Sequence, residues 1–344
     1  MYSKVIHYTQ QWLHKIWYKN SAWFLFFLPL SWLFFILTTV RKVLLKGCLQ
    51  RLYQPLHPIV IVGNITVGGT GKTPFIVWLV KNLKARGLRP AILSRGYGVK
   101  ITGAPIEVSK YSDPNIVGDE PVMIATKVDC PVIVHSDRVL SCRYASKKNI
   151  DLIICDDGLQ HYKLKRDYEI VIIDGEREFG NGQLLPAGPL REPISRLKSV
   201  DLVLKQVSSA SIEPDYNSDG AFYLTGELAK NINSGKTQPL IDFLGKKIHA
   251  VAGIGNPDRF FDLLESKGLE LERHYYKDHH KYSSNDLSFD DELDVLMTEK
   301  DAVKCKKFDN DRLWSVPVEL NFSNKKHAWL INIENLVNKR DINV

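Results

Sequence analysis

The sequence predicts an α/β protein: a mostly parallel sheet flanked by helices, a smaller α/β unit after it, and an apolar membrane helix before it. Three observations predict this. Short, β-branched apolar runs alternate with helical spacing through the middle of the chain: "PIVIVG", "RPAILSRGYG", "CPVIVHSDR", "IDLIICDDGLQH", "YEIVIIDGE" and "VDLVLKQ". Such runs read as strands buried on both faces, and helices between them make the sheet parallel. The first run leads directly into a glycine-rich turn, "GNITVGGTGKTP". No charged residue lies between Lys19 and Arg41.

The uncharged segment, "NSAWFLFFLPLSWLFFILTTV", is about long enough to cross ~30 Å of hydrocarbon as a helix. Trp17, Tyr18, Trp23 and Trp32 carry rings that favour the interface, and Arg41, Lys42, Lys46 and Arg51 favour the cytoplasmic face. The run is too long for a secretory signal, and no small-residue cleavage pattern follows it. Pro29 predicts a kink or a partly interfacial lie. The competing reading is a buried hairpin of a soluble protein.

After Pro55 and Pro58 the first strand begins. "PFIVWLVKNLKARG" has helical spacing and a Gly87 stop. Around Ser208–Asp219 the composition turns polar ("SSASIEPDYNSDG"), which divides the chain into a membrane segment (1–50), a main unit (51–220) and a smaller α/β unit (221–344). In the last, "KIHAVAGIG" reads as a strand, Asn256 and Pro257 as a helix N-cap and N1, and "LDVLMTEKD" and "LWSVPVELNF" as two more strands.

The 344 residues allow two modest domains, and 44% hydrophobic content fills a core and excludes disorder. The five cysteines (Cys48, Cys130, Cys142, Cys155, Cys305) are odd in number and lack C-x-x-C spacing, against both a disulfide framework and a zinc site. A net charge of +7 suggests an anionic partner. Without a helix-turn-helix or RNP-like pattern, an acidic membrane or a phosphorylated ligand fits better than nucleic acid.

The glycine-rich turn ends as a phosphate-binding loop does. Gly68, Gly69 and Gly71 allow close backbone approach, Thr70 lies among them, Lys72 reaches β/γ-phosphates, and the Thr73 hydroxyl can hold Mg²⁺. Pro74 falls in the first helical turn, where its missing N–H costs little. Thr66 stands where the usual pattern has a glycine, and Val67 where switch ATPases carry a lysine. Asp156 and Asp157 end an apolar strand in Walker B fashion; one of them holds Mg²⁺ directly or through water. Adjacent acids repel unless something positive sits beside them. Glu120, in "VGDEP", is a second candidate for the metal shell. Arg138 in "SDR" and Arg191 in "GPLREP" suit charge neutralisation at a transferring group or a substrate phosphate. Tyr97 and His161 are candidate contacts to substrate or nucleotide.

"GNITVGGTGKTP", "SRGYG", "VGDEP", "SDR", "DDGLQH", "LLPAGPLREP", "DHH" and "TEKDAVK" follow one another in this order. With the apolar N-terminus, this resembles the tetraacyldisaccharide 4'-kinase family of lipid A biosynthesis, over nearly the whole chain. That family's loop also lacks the glycine at Thr66. The resemblance implies an ATP- and Mg²⁺-dependent kinase at the bacterial inner membrane, its catalytic part facing the cytoplasm. Its substrate would be an acylated glucosamine disaccharide 1-phosphate, phosphorylated on a sugar hydroxyl, with no obligate protein partner. It implies Asp119 as the base, assisted by His279, with the adjacent His280 left open. "TEKD" carries its lysine one place late for a guanine-reading motif, so ATP is preferred, and the segment is expected near the base or the hinge between domains. The alternatives are a membrane-associated switch ATPase of the partitioning or targeting type, and a non-catalytic scaffold.

Overall fold

Each of the six middle runs forms a strand, and the β-branched content explains why: these side chains pack well on a pleated surface. The computed structural model describes residues 12–13, 15–19, 21–45, 52–209, 218–323 and 327–341. Lys46, Cys48, Arg51 and most of the polar break lie outside them. In chain order the elements are α1 (Phe24–Val43), β1 (Ile59–Gly63), α2 (Lys72–Ala85), β2 (Pro90–Ser94), β3 (Ile106–Val108), α3 (Pro114–Val117), α4 (Asp119–Lys127), β4 (Val132–Val134), α5 (Arg138–Ala145), β5 (Leu152–Asp156), β6 (Tyr168–Asp174) and β7 (Leu202–Val207). Then follow β8 (Gly220–Thr225), β9 (Leu228–Asn231), β10 (Thr237–Pro239), β11 (Lys247–Ala252), α6 (Pro257–Ser266), β12 (Glu270–Tyr275), β13 (Val295–Thr298), α7 (Glu299–Cys305), β14 (Leu313–Val316), β15 (Glu319–Phe322) and α8 (Trp329–Asp341).

The first sheet has nine strands in the order β15-β8-β7-β6-β1-β5-β2-β4-β3. Its interior pairs are parallel, while β3 and β15 close the two edges antiparallel. Alternate residues of β1 and β5 face opposite sides. Val60, Val62 and Ile154 pack with Phe75 and Leu79 of α2, whereas Ile59, Ile61 and Ile153 join a second core with Ala145 and Leu164. The register sets the chemistry: Val62 pairs with Asp156, and Leu93 with Cys155. The loops leaving β1, β5 and β2 therefore emerge side by side at the carboxyl end of the sheet, where ligands of open α/β sheets bind.

Sheet membership does not follow the division expected at 220. β8, just after the polar break, pairs with β7, and the chain later returns through β15 and α8. Leu330, Ile333 and Val337 of α8 are buried in the first core. "LWSVPVELNF" is two strands rather than one, because Pro317 interrupts the ladder and β14 and β15 enter different sheets.

The second sheet has six strands, ordered β10-β9-β14-β13-β11-β12. Asn256 caps α6 by position, without a side-chain hydrogen bond, and Pro257 is its first residue. On this sheet His249 lies 3.0 Å from Asp291 through one ring nitrogen and 2.9 Å from His274 through the other, so both nitrogens are satisfied within the protein.

Helix α1 runs unbroken through Pro29. It is the one helix among the described residues long and apolar enough to cross a membrane, and only 6% of its apolar window is buried. Phe26 and Trp32 are 76% and 70% exposed. A buried hairpin would hide these rings, so that reading fails.

Candidate active site

Gly71 opens α2 in the left-handed region, at φ 82°, and a Cβ there would sit 2.4 Å from Oε1 of Gln206. Only glycine meets both demands. Lys72, the first helical residue, donates to Asn64 Oδ1 at 3.1 Å and lies 3.5 Å from Asp157. Asn64, fully buried, also donates to the Gly68 carbonyl at 3.3 Å and so fixes the loop's curvature. Thr66 forms an antiparallel bridge with Leu190, and the Val67 N–H donates to the Pro189 carbonyl at 2.9 Å. An extended residue needs no glycine, which accounts for the departure from the usual pattern. The Val67 amide is thereby engaged within the protein rather than pointing into the loop.

Asp156 and Asp157 follow from β5 and diverge in character. Asp156 is buried and accepts from Ser94 Oγ at 3.1 Å. Burial, then the charges of Glu120 and Asp157, push its carboxyl up to about 6. Asp157 takes the left-handed φ of 49°, rare outside glycine and often found where function imposes strain. That turn aims it at Lys72 and Arg191, whose Nη1 donates to Oδ2 at 3.0 Å. Burial would raise its carboxyl, but Lys72 and Arg191 outweigh it and hold the group at about 2.

Asp119 begins α4 behind Gly118 and is 5% exposed. His279 Nδ1 lies 2.9 and 3.0 Å from its two oxygens, across 160 residues of sequence. A carboxylate only accepts, so the proton belongs on Nδ1. His279 also has a left-handed φ, 58°, and its ring lies on Tyr97 with centroids 4.7 Å apart. The adjacent His280 faces away, 3.4 Å from Asp286 and packed between Tyr276 and Tyr282. The geometry therefore favours His279 in the pairing left open between the two histidines.

Lys300 joins both parts. Its Nζ donates to Glu120 and Asp278 at 2.9 Å each and lies 3.3 Å from His279 Nε2. Burial works against its charge, but Glu120, Asp278 and Asp119 raise its pKa well above the usual lysine range. Lys304 stands 3.7 Å from Asp119. Burial would raise the Asp119 carboxyl, but the His279 hydrogen bond and the charges of Lys300, His279 and Lys304 hold it below the ordinary value. Neither lysine was singled out from sequence, although both stand in "TEKDAVK". Asp301 of the same motif is fully buried and accepts from Thr298 Oγ1 at 2.7 Å and from the Gly253 N–H at 2.9 Å. It is a helix-cap and loop fastener, with no edge left for a base.

Arg138, expected at a transferring phosphate, is held at the end of β5 that carries Asp156. It is buried, and its Nη2 donates to the Asp156 carbonyl at 2.6 Å and holds the strand end. His161 sits close by, its ring held neutral at about 4 by burial and the Arg138 and Arg95 charges. A neutral ring can share a hydrogen bond but adds no cation to the site. From the second sheet, Gly255 approaches the phosphate loop so closely that a Cβ would lie 2.9 Å from the Gly69 nitrogen.

A family model described as Tetraacyldisaccharide-1-P 4'-kinase matches residues 23–335. The chain is 46% identical over 311 residues to the tetraacyldisaccharide 4'-kinase of Methylobacillus flagellatus, covering 90% of this chain and 91% of the relative. It is 41% identical to that of Nitrosococcus oceani, with 96% of each chain covered. Its fold is similar to the crystal structure of the "apo" form of LpxK from Aquifex aeolicus in complex with ATP, at TM-score 0.74 and 27% identity, covering 90% of this chain and 98% of that one. The chain belongs to the tetraacyldisaccharide-1-P 4'-kinase family.

Proposed function

We propose that the chain transfers the γ-phosphate of ATP to the 4'-hydroxyl of a tetraacylated glucosamine disaccharide 1-phosphate, with Asp119 and His279 holding the acceptor hydroxyl. The observation that carries this reading is the 2.9 Å Asp119–His279 contact, made between the two α/β units beside the phosphate loop. A switch ATPase needs no such second carboxylate–imidazole pair. In the transfer the acceptor oxygen bonds to the γ-phosphorus, the β–γ bridging bond breaks, and ADP leaves. Asp119 receives the hydroxyl proton while the His279 Nδ1–H keeps the carboxylate aimed. A carboxylate of lowered pKa is a weak base, which suffices because the loose transition state demands positioning more than early proton removal. Lys72 and Arg191 face the phosphates. Purified protein with Mg²⁺-ATP and a disaccharide 1-phosphate lipid tests the reading: ADP release that needs no acceptor would overturn it.

The acid cluster fits a divalent cation. A carboxyl raised to about 6 by burial beside two other carboxylates is one that a bound cation would stabilise in its charged form. Asp156, Glu120 and Thr73 would hold Mg²⁺, with Asp157 taken by Lys72 and Arg191. When bound, the ion supplies neutralisation of charge on the β- and γ-oxygens. Chelation is expected to stop transfer and Mg²⁺ to restore it. Asp156→Asn should raise the half-saturating Mg²⁺ concentration about tenfold or more, measured by titration at fixed ATP.

The way α1 meets the protein favours a helix lying in the bilayer interface over one crossing it. Ser31 bonds to the loop at Leu184 and Ala187, and Lys42 sits over the Tyr162 ring at 5.5 Å. These anchors are eleven positions apart, roughly 16 Å of helix held along the kinase unit. The opposite face, with Phe26 and Trp32, is left for lipid on the cytoplasmic side of an inner membrane. Phe26→Asp with Trp32→Asp should lower co-sedimentation with anionic vesicles about tenfold or more while ATP binding persists. Unchanged sedimentation would place the anchor elsewhere.

A further inference from the structure

We propose that Ser31 and Trp17 are positioning residues for phosphoryl transfer, setting Arg191 from the membrane-side helix through the loop at 183–190. The proposal rests on the kinase reading above. Ser31 is the buried residue of α1, a helix otherwise open or half-open to its surroundings. A hydroxyl gains little from apolar burial, so its place must come from its bonds. Its Oγ donates to the Leu184 carbonyl at 2.8 Å and accepts from the Ala187 N–H at 3.0 Å. Trp17 adds Nε1–H to the Pro186 carbonyl at 2.9 Å. The Trp17 carbonyl accepts from the Asn181 N–H at 2.8 Å, and the Asn181 amide donates to the Ala187 carbonyl at 2.8 Å. The membrane-side segment thus satisfies one face of the loop.

The loop is also closed on itself. Leu185 N–H meets the Leu190 carbonyl at 2.9 Å, Leu190 N–H the Gln183 carbonyl at 3.1 Å, and Gly188 N–H the Leu184 carbonyl at 2.9 Å. Its far end is fastened to the strand entering the phosphate loop, by Val67 N–H to Pro189 at 2.9 Å and Arg191 N–H to Ile65 at 2.7 Å. The next link is the Arg191 guanidinium on Asp157 at 3.0 Å. A continuous run of hydrogen bonds therefore joins the helix to the cation beside the Walker carboxylates. Loops alone are soft; this one is held on both faces, and small misplacements of a charged group at a transferring phosphate are costly. Neither Ser31 nor Trp17 touches a reacting atom, so both act through Arg191.

The test is a double-mutant cycle in full-length protein on vesicles, with Mg²⁺-ATP and the lipid acceptor. Ser31→Ala is expected to lower kcat about tenfold, leaving the KM for ATP and vesicle sedimentation unchanged. Ser31→Thr, which keeps the hydroxyl, should recover most of the loss. Ser31→Ala combined with Arg191→Ala should be no slower than Arg191→Ala alone. Losses that multiply in the double variant, an unchanged kcat in Ser31→Ala, or a fall in sedimentation that matches the fall in rate would each overturn the proposal. If Ser31→Ala does not fold, Trp17→Phe removes only the indole donor and carries the same cycle to the same outcomes. If the wild-type protein shows no acceptor-dependent transfer, it is the kinase reading that fails, a result separable from the cycle.

Discussion

Asp119→Ala and His279→Ala are each expected to lower kcat by a factor of about 10²–10⁴, with the affinity for Mg²⁺-ATP little changed. The reason is placement. Asp119 and His279 meet at 2.9 Å, near Lys300, and take no part in the hydrogen bonds that shape the phosphate loop. Removing Asp119 leaves the His279 Nδ1–H without its acceptor, in a residue whose φ of 58° is maintained only by its surroundings. Removing His279 leaves the carboxylate with its lysines but without its aim. On the proposal that the two act as a unit, the double variant is expected to be hardly slower than the slower single one. Steady-state kinetics with saturating acceptor, and nucleotide binding measured separately, decide this. Multiplying losses would break the pair, and a loss of Mg²⁺-ATP binding in Asp119→Ala would move that carboxylate to the metal.

Lys72→Ala acts on the other side of the reaction and is expected to reduce kcat/KM for ATP by about 10³ or more. Lys72 performs two tasks in the same place. By the proposal it faces the phosphates, and it shares Asp157 with Arg191, a carboxyl held at about 2 against its own burial. Without the lysine, Arg191 alone opposes that burial, so the Asp157 carboxyl moves up. Unlike the Asp119 variant, this one should weaken nucleotide binding together with turnover. Near-normal turnover in Lys72→Ala would remove the phosphate site altogether.

What could be read from sequence was what is local. The glycine-rich turn, the acid pair at a strand end and the apolar strands each report on a few adjacent residues, and the sheet they imply is present. Thr66 looked anomalous only because the bridge to Leu190 lies 124 positions away. Asp119 stood in a polar turn that by itself meant little; family likeness alone implied its role and its pairing with His279, and the fold separated His279 from the adjacent His280. Lys300 was weighed only as a displaced base-reading lysine and Lys304 not at all, because "TEKD" drew attention to that pattern, whereas Asp301 is buried as a fastener. Arg138 was chosen for its chemistry; that it would be buried with its guanidinium on the Asp156 carbonyl could not be read locally. The polar break near 208–219 marked exposure to solvent, which composition records, rather than sheet membership, which it does not. Pro317 was visible, but nothing local said that the strands on either side of it would part.

The return of β15 and α8 to the first sheet bears on how the protein is made. Phe322 and Trp329 complete an aromatic cluster with Trp78 and Phe75, residues synthesised some 250 positions earlier. Until the final segment leaves the ribosome, β8 is an open sheet edge and Phe222, Phe75 and Trp78 lack their cover. The unit that carries the phosphate loop is thus begun first and closed last, with the other unit able to form in between. From the synthesis of β8 until β15 follows, the newborn chain carries an unpaired strand and a bare aromatic face, the kind of edge and surface on which nascent chains misassociate.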